Sequence, residues 1–227
     1  MEFTTVSQEL VNRKKDNGTY LAPQLRLSQD LVRLRNEPDN AKMVSRLMQK
    51  YPTFNEFVVA NTPSRQFFLC QDPLQCFIGD SPCLRLLDIT YGMFASAIWL
   101  VPQIADVSVS CGLKEDASEV QIQLVAAAIA SKFKYLKTDE VMFFLFNFKA
   151  GFYEQFYCYF DPQTIIRSMP TFLQERTNII EEYDKELRRI EAEKNRLPGT
   201  PLEEINKNYF KTETLNKLLH LHFSKLS

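Results

Sequence analysis

The chain has 227 residues, of which 45% are hydrophobic and 24% charged, and its formal charge at pH 7 is −1. This composition is typical of a globular protein, and the near-neutral charge excludes a surface that is basic throughout, as in proteins that coat DNA or anionic lipid. No apolar run approaches the roughly 18–20 residues of a membrane helix, and residues 1–15 lack the apolar stretch of a signal peptide. We therefore expect a cytoplasmic protein that makes no membrane contact.

The periodicity predicts an all-α protein, folded as an irregular multi-helix bundle. Residues 1–23 are polar and predict an N-terminal arm. Residues 24–60 predict a small helical subdomain, in which Ser28 and Thr53 are the residue types that cap helix starts. The first part of the chain is therefore expected to be an arm followed by short helices.

The composition changes after residue 60, where three prolines and a glycine interrupt every helical period. Residues 61–82 predict an irregular connection that contains a short β-hairpin around residues 66–78. Residues 83–197 predict the main helical domain, and residues 198–227 predict a C-terminal helix. The boundary between the small subdomain and the main domain is expected in the connection.

Within the main domain, two prolines fall inside long helical patterns. Leu84–Ser110 is an apolar helical stretch that we expect to kink or split at Pro102, because a proline inside a helix removes a hydrogen bond. For the same reason, we expect Gln163–Arg196 to kink or restart after Pro170. Between these stretches, Ser118 predicts the start of a further helix.

Thr138 predicts the cap of a helix that runs from Val141 to Lys149 and has two unusual features. Asp139 and Glu140 stand in its first turn, where negative charge interacts favourably with the helix dipole. From Val141 to Lys149 the residues are apolar nearly all round, which is typical of a helix that is buried on every side or lies in an interface. The pattern indicates how this helix packs and does not indicate an activity.

The cysteine, glycine and histidine contents argue against the common catalytic and metal sites. The five cysteines include no C-x-x-C pair, and the six glycines form neither G-x-x-x-x-G-K-[ST] nor G-x-G-x-x-G. The only histidines, His220 and His222, are two residues apart and would not share a helix face. We expect no metal and no cofactor; zinc bound by Cys70, Cys76 and Cys83 with one of these histidines is the open alternative.

The densest feature is a run of six aromatic residues between Phe152 and Phe160. Exposed rings among cations stack on bases of single-stranded nucleic acid, whereas rings at three- and four-residue steps are typical of a core. We favour the core because few cations lie nearby. The candidates for contact with a partner are Lys149, Tyr153, Phe156, Tyr157, Arg167 and Arg176, and those for contact with nucleic acid are Lys132, Lys134 and Lys137.

One tract of the chain resembles an uncharacterised family of proteins found in phages and mobile elements of Bacteroides-type bacteria. The resemblance covers Ser81–Arg176 and depends on these segments: Ser81-Pro82-Cys83-Leu84, Tyr91-Gly92, Trp99-Leu100, Cys111-Gly112, Glu140-Val141-Met142-Phe143-Phe144, Phe148-Lys149-Ala150-Gly151, Tyr153, Phe156-Tyr157, Asp161-Pro162 and Glu175-Arg176. The chain departs from the family pattern at Glu154 and Cys158, where the family has glycine. The resemblance implies a fold and a genomic setting, and it implies no reaction.

These observations together favour a non-enzymatic helical adaptor. We expect an accessory protein of a phage or mobile element that acts through protein–protein contacts, close to DNA replication or transfer. The first alternative is direct binding of single- or double-stranded nucleic acid through the aromatic run and the lysines around Lys134. The second alternative is an enzyme. Its site would be of an unrecognised kind, because the chain carries none of the common catalytic patterns.

Overall fold

The computed structural model describes residues 28–115 and 117–196. In this part of the chain there are ten α-helices and no strand, apart from one isolated β-bridge between Cys83 and Lys137. The predicted all-α, multi-helix fold is therefore confirmed. The predicted N-terminal arm, the predicted helix of residues 198–227 and both histidines lie outside the described residues.

The helices are separated by short connections, and none of those described is long and apolar enough to cross a membrane. Their bounds are α1 (Gln29–Asn36), α2 (Pro38–Lys50), α3 (Phe54–Ala60), α4 (Arg65–Leu69), α5 (Pro73–Ile78), α6 (Leu84–Tyr91), α7 (Ala95–Ser110), α8 (Glu119–Lys132), α9 (Thr138–Lys149) and α10 (Pro162–Arg196).

The predicted caps of α1, α3 and α8 are confirmed. In each case a side-chain hydroxyl accepts an amide of the first turn, which satisfies one of the N–H groups that a helix start leaves without a partner. The hydroxyl of Ser28 accepts the amide of Leu31 at 3.3 Å, and that of Thr53 accepts the amide of Glu56 at 3.2 Å. Ser118 caps α8 in the same way. The cap predicted at Thr138 is wrong, because Thr138 lies inside α9 and Lys137 occupies the cap position.

The β-hairpin predicted around residues 66–78 is wrong, because this segment contains α4 and α5. Asp72 Oδ1 accepts the amide of Gln75 at 3.4 Å, and Pro73 occupies the first helical position. An acceptor at the cap followed by proline starts a helix, since the proline φ angle suits the first turn and its missing N–H is not needed there. Pro73 therefore begins a helix here.

The break predicted at Pro102 lies elsewhere. The chain leaves the helical conformation at Gly92–Phe94, where Gly92 has φ 122° and Phe94 has φ 67°, and α7 then runs through Pro102. Asp88 stabilises the new helix start: its two carboxylate oxygens accept the amide and the hydroxyl of Ser96, each at 2.9 Å. Asp88 belongs to α6, so a side chain of one helix accepts hydrogen bonds from the first turn of the next helix.

Helix α9 lies at the centre of the molecule. Ten of its twelve residues are buried, and it packs against α4, α5, α7 and α10. Of the two predicted alternatives, burial on every side or a place in an interface, burial within the molecule describes this helix. The core around it is continuous from Val44 to Phe172 and includes Trp99, which is fully buried.

Helix α10 passes α8, α9 and α5 in a single span. The restart predicted at Thr171 does not occur, and the helix continues through Pro170, which is exposed to solvent. A proline on the solvent side is tolerated better, because water can hydrogen-bond the carbonyl that loses its partner. The first half of α10 covers the core through Ile165, Met169 and Phe172.

Candidate functional site

The candidate site is the connection between α9 and α10, residues 150–161, which we call the aromatic loop. Gly151 has φ +82° and lets the chain turn away from α9, as glycine does at many helix ends. Its amide donates to the carbonyl of Phe148 and the amide of Phe152 to that of Asn147, each at 3.1 Å. The loop therefore begins from a fixed point at the helix end.

The inner part of the aromatic loop belongs to the core. The ring of Phe156 lies 5.2 Å from that of Phe148 and 5.1 Å from that of Phe160, between ring centres. Tyr153 packs on Phe144 at 5.3 Å. The rings of Tyr153, Phe156 and Phe160 therefore pack in or against the core in this structure.

Tyr153 also has a polar contact. Its hydroxyl donates to Glu175 of α10 at 2.7 Å. Burial, followed by the negative charge of Glu175, raises the pKa of this hydroxyl well above its usual range. The phenol stays protonated at neutral pH and fixes the loop to α10.

The outer part of the aromatic loop faces solvent. Tyr157 is 100% exposed and Tyr159 is 66% exposed, with the exposed Cys158 between them, and Phe152 is 49% exposed. We call Tyr157 and Tyr159 the tyrosine rim. Burying such aromatic side chains on a partner removes much apolar surface from water, and tyrosine also has a hydroxyl that can bond at the edge of an interface.

The backbone beneath the tyrosine rim is held by hydrogen bonds from Lys114 and from Gln121 of α8. The amide of Lys114 donates to the carbonyl of Cys158 at 3.3 Å, and the side-chain amide of Gln121 donates to the carbonyl of Phe160 at 3.2 Å. The exposed rings therefore stand on a backbone that is tied to α8 and to the end of α7.

Arg167 of α10 closes the far side of the aromatic loop. Its guanidinium donates to Glu154 at 3.2 Å and to Asp161 at 3.3 Å. Burial alone raises the pKa of Asp161, but hydrogen bonds from Thr164 and Gln163, together with Arg167, outweigh it and lower the pKa. This arginine is occupied by carboxylates of the loop itself.

Two further predicted interaction residues are engaged inside the molecule. Lys149, at the end of α9, forms an ion pair with Asp106 of α7. Arg176 of α10 donates from Nε to the buried Glu140 at 2.8 Å. The structure therefore brings Tyr153, Phe156, Tyr157 and Arg167 together at the aromatic loop and places Arg176 about two to three helical turns further along α10.

The sequence analysis did not anticipate the surroundings of the acidic pair at the start of α9. Glu140 is fully buried, and it accepts the amide of Lys137 at 2.8 Å as well as Arg176. Asp139 forms an ion pair with Arg65 of α4 at 3.1 Å. We call Arg65, Asp139, Glu140 and Arg176 the acid–arginine clamp. The signal was present in the sequence as two adjacent acids in an otherwise apolar helix, but their partners are 74 and 36 residues away.

The acid–arginine clamp fits a structural role better than a catalytic one. Burial raises the pKa of Asp139 and of Glu140, and the arginines act in the opposite direction. Burial, with the nearby carboxylates, raises the pKa of the neighbouring Cys76 thiol to about 12, so this thiol stays protonated at neutral pH. The described residues contain no group of three or more His, Cys, Asp or Glu side chains suited to a metal ion.

The three lysines predicted to contact nucleic acid do not form one free cationic patch. Lys137 donates from Nζ to the backbone carbonyls of Phe77 and Gly79, at 2.7 and 2.8 Å. Lys132 and Lys134 are exposed. Lys137 therefore ties the end of α5 to the start of α9, and two of the three predicted lysines remain on the surface.

Comparison with known proteins finds similarity in one part of the chain. Residues 119–217 are similar to a family of unknown function, DUF6633. The similar region includes the aromatic loop, both acids of the clamp and Arg176. No curated protein matches the chain. No solved structure matches it either.

Proposed function

We propose that this chain is a non-enzymatic adaptor that binds a protein partner through the tyrosine rim. The observation that carries the proposal is the full exposure of Tyr157 on a backbone that is hydrogen-bonded to the neighbouring loop. Tyrosine is enriched among the residues that dominate protein–protein binding, because it buries a large surface at the cost of few rotatable bonds. Because hydrogen bonds hold this backbone before a partner binds, less conformational entropy is lost on binding.

The non-enzymatic role is supported by how the interior charges are used. In the described residues, the most deeply buried acid, Glu140, is joined to Arg176, and Tyr153 is joined to Glu175. The first pair joins α9 to α10, and the second joins the aromatic loop to α10. A catalytic group needs a partner and also an open position where substrate can reach it.

Contact with a protein is favoured over contact with nucleic acid because of the cations near the rim. Lys149 pairs with Asp106, and Arg167 pairs with Glu154 and Asp161. A binder of single-stranded nucleic acid needs cations that are available to phosphates around its aromatic rings. The exposed Lys114 also lies near the rim, but one lysine is not the set of cations that such a binder needs.

The biological setting in the proposal is that of a phage or mobile element. The resemblance of Ser81–Arg176 to proteins of such elements supports an accessory role, close to DNA replication or transfer and in the cytoplasm. The similarity to a family of unknown function overlaps this tract from residue 119 to Arg176. The tract contains the whole aromatic loop.

Site-specific photo-crosslinking in the native host tests the adaptor function. A photoreactive phenylalanine analogue is introduced at Tyr157 and, as a matched control, at Tyr135, which is 52% exposed. Tyr135 precedes α9 and the aromatic loop follows it, so the two sites are separated by about 18 Å of helix. We expect a discrete protein adduct from position 157 that is absent from position 135 and lost when Tyr159→Ala is added.

The opposite result would be adducts of equal yield from both positions, or none from position 157. Fluorescence anisotropy with single- and double-stranded DNA at two salt concentrations tests the nucleic-acid alternative. Binding that falls steeply with salt and is lost in a Lys132→Gln, Lys134→Gln variant would favour that alternative. Retained adducts without DNA binding would favour the adaptor.

A further inference from the structure

We infer that the segment recognised by the tyrosine rim carries arginine beside apolar residues. This inference rests on the proposed function and specifies the partner's chemistry. It combines the exposure of Tyr157 with the charges of the two loops that meet beneath the rim. Neither observation would be sufficient alone.

The exposed rings of the tyrosine rim favour particular side chains of a partner. Tyr157 is 100% exposed, so both faces of its ring are available, and Tyr159 beside it is 66% exposed. The face of an aromatic ring attracts cations, and arginine, which is planar, also stacks on it. A tyrosine that is exposed on all sides can therefore bind a guanidinium and, at its edge, an apolar side chain.

The charged side chains around the tyrosine rim are mostly acidic. The amide of Lys114 touches the carbonyl of Cys158 at 3.3 Å, so the exposed Glu115 follows directly beside the rim. Glu119 is exposed two residues before Gln121, whose side chain contacts Phe160 at 3.2 Å. The described residues of the two loops, together with the first residue of α8 and the facing turn of α10, carry four acids and two cations, namely Glu115, Glu119, Glu154, Asp161, Lys114 and Arg167.

The charges around the tyrosine rim determine which partner segment it attracts. A surface with excess carboxylates around exposed rings attracts a cationic segment and repels an acidic one or a phosphate backbone. Arginine fits better than lysine, because its fork can bind a carboxylate while its plane lies on a ring. Glu115 and Glu119 supply carboxylates that Arg167 does not occupy.

Fluorescence anisotropy with defined peptides tests this inference on the full chain. The probes are three labelled peptides of equal length in which leucine alternates with arginine, serine or glutamate. We expect the arginine peptide to bind most tightly and the glutamate peptide not to bind. Tyr157→Ala should raise the Kd of the arginine peptide about fivefold, as expected for one exposed cation–π contact, and Tyr157→Phe should leave it nearly unchanged.

Two variants separate the carboxylates from a general attraction between charges. Glu115→Gln combined with Glu119→Gln should weaken binding of the arginine peptide at low salt and reduce its salt dependence. Tyr135→Ala, which removes an exposed tyrosine elsewhere, should change nothing. The inference is overturned if the serine peptide binds as tightly as the arginine peptide, or if Tyr157→Ala binds the arginine peptide as the unmodified chain does.

Failure of the inference can be distinguished from failure of the adaptor proposal. If the photo-crosslink at position 157 maps to a partner segment without arginine, the adaptor function stands and the assignment of the partner's chemistry is wrong. If position 157 gives no adduct, both are wrong.

Discussion

Arg176 donates to the fully buried carboxylate of Glu140 at 2.8 Å, and this contact joins the middle of α10 to the first turn of α9. Asp139, the preceding residue, is joined to Arg65 of α4. The first turn of α9 is therefore held by two arginines. One of them precedes α9 in the sequence and the other follows it. The stability of the molecule should depend strongly on these two pairs.

We expect Arg176→Ala to lower the free energy of unfolding by about 3–5 kcal/mol, because it leaves a carboxylate buried without its partner. Urea denaturation measures the change. Arg167→Ala is the matched control, since it removes an arginine from exposed ion pairs, which contribute about 1 kcal/mol or less. The clamp would be unimportant if both variants lost the same small amount.

Stability should also depend on pH through Asp88. Burial raises the pKa of this carboxyl from 3.8 to about 6, although Ser96 acts in the opposite direction. Between these values the folded chain holds the proton more tightly than the unfolded chain does. The free energy of unfolding should therefore fall, for this group, as the pH rises from about 4 to about 6, and it should be level above that.

The variant Asp88→Asn isolates this contribution. Asparagine keeps an oxygen that can accept the Ser96 amide but does not titrate, so its stability profile should be flatter across this pH window. Urea midpoints at several pH values measure both profiles. The buried Asp139 and Glu140 contribute a slope of the same sign to both proteins, so only the difference between the profiles reports on Asp88.

Two glycines provide a matched test of the turn that begins the aromatic loop. Gly151 and Gly112 have φ of +82° and +63°, so alanine at either position should cost about 1–2 kcal/mol through the left-handed backbone. A Cβ at Gly112 meets nothing within 4 Å, whereas one at Gly151 lies 2.8 Å from Gln155 Nε2.

Gly151→Ala should therefore destabilise the chain at least as much as Gly112→Ala, and it alone should displace Gln155 and the rim beyond it. Thermal unfolding compares the stabilities, and the yield of the Tyr157 crosslink reports on the rim. Equal crosslinking in both variants would show that the rim does not depend on this turn.

The cysteines should differ in their reactivity toward an alkylating reagent. Cys158 is exposed between the rim tyrosines, whereas Cys76 is buried and has a thiol pKa of about 12. Because the thiolate is the reactive form, Cys158 should be labelled in the folded chain at neutral pH and Cys76 only after unfolding. Mass spectrometry of the digested protein identifies the labelled sites. Labelling of Cys76 in the folded chain would contradict the packing at the start of α9.

Local sequence signals predicted the helices well where a cap and a periodic face agreed. Ser28, Thr53 and Ser118 start helices as expected, and the apolar stretch after Glu140 is buried. The prolines were harder to interpret, since their effect depends on whether they fall at a helix start, as Pro73 does, or on a solvent-facing side, as Pro170 does. That property depends on tertiary packing.

The candidate site was predictable only in part. The aromatic run was visible in the sequence, but the division between the inner Phe156 and the outer Tyr157 follows from the turn at Gly151 and from contacts with residues 111–118. The pairing of Glu140 with Arg176 could not be predicted, because the chain offers many arginines and no local pattern selects one. Long-range contacts decide which charges are available to a partner.

The burial of α9 determines how the molecule can be dissected. A fragment that begins at residue 119, where the similarity to the family of unknown function starts, would lack α4, α5 and α7. Phe143 would lose its ring contact with Phe77, and Asp139 would lose Arg65. Such a truncation should aggregate when produced alone, so binding assays require a polypeptide that retains the helices preceding residue 119.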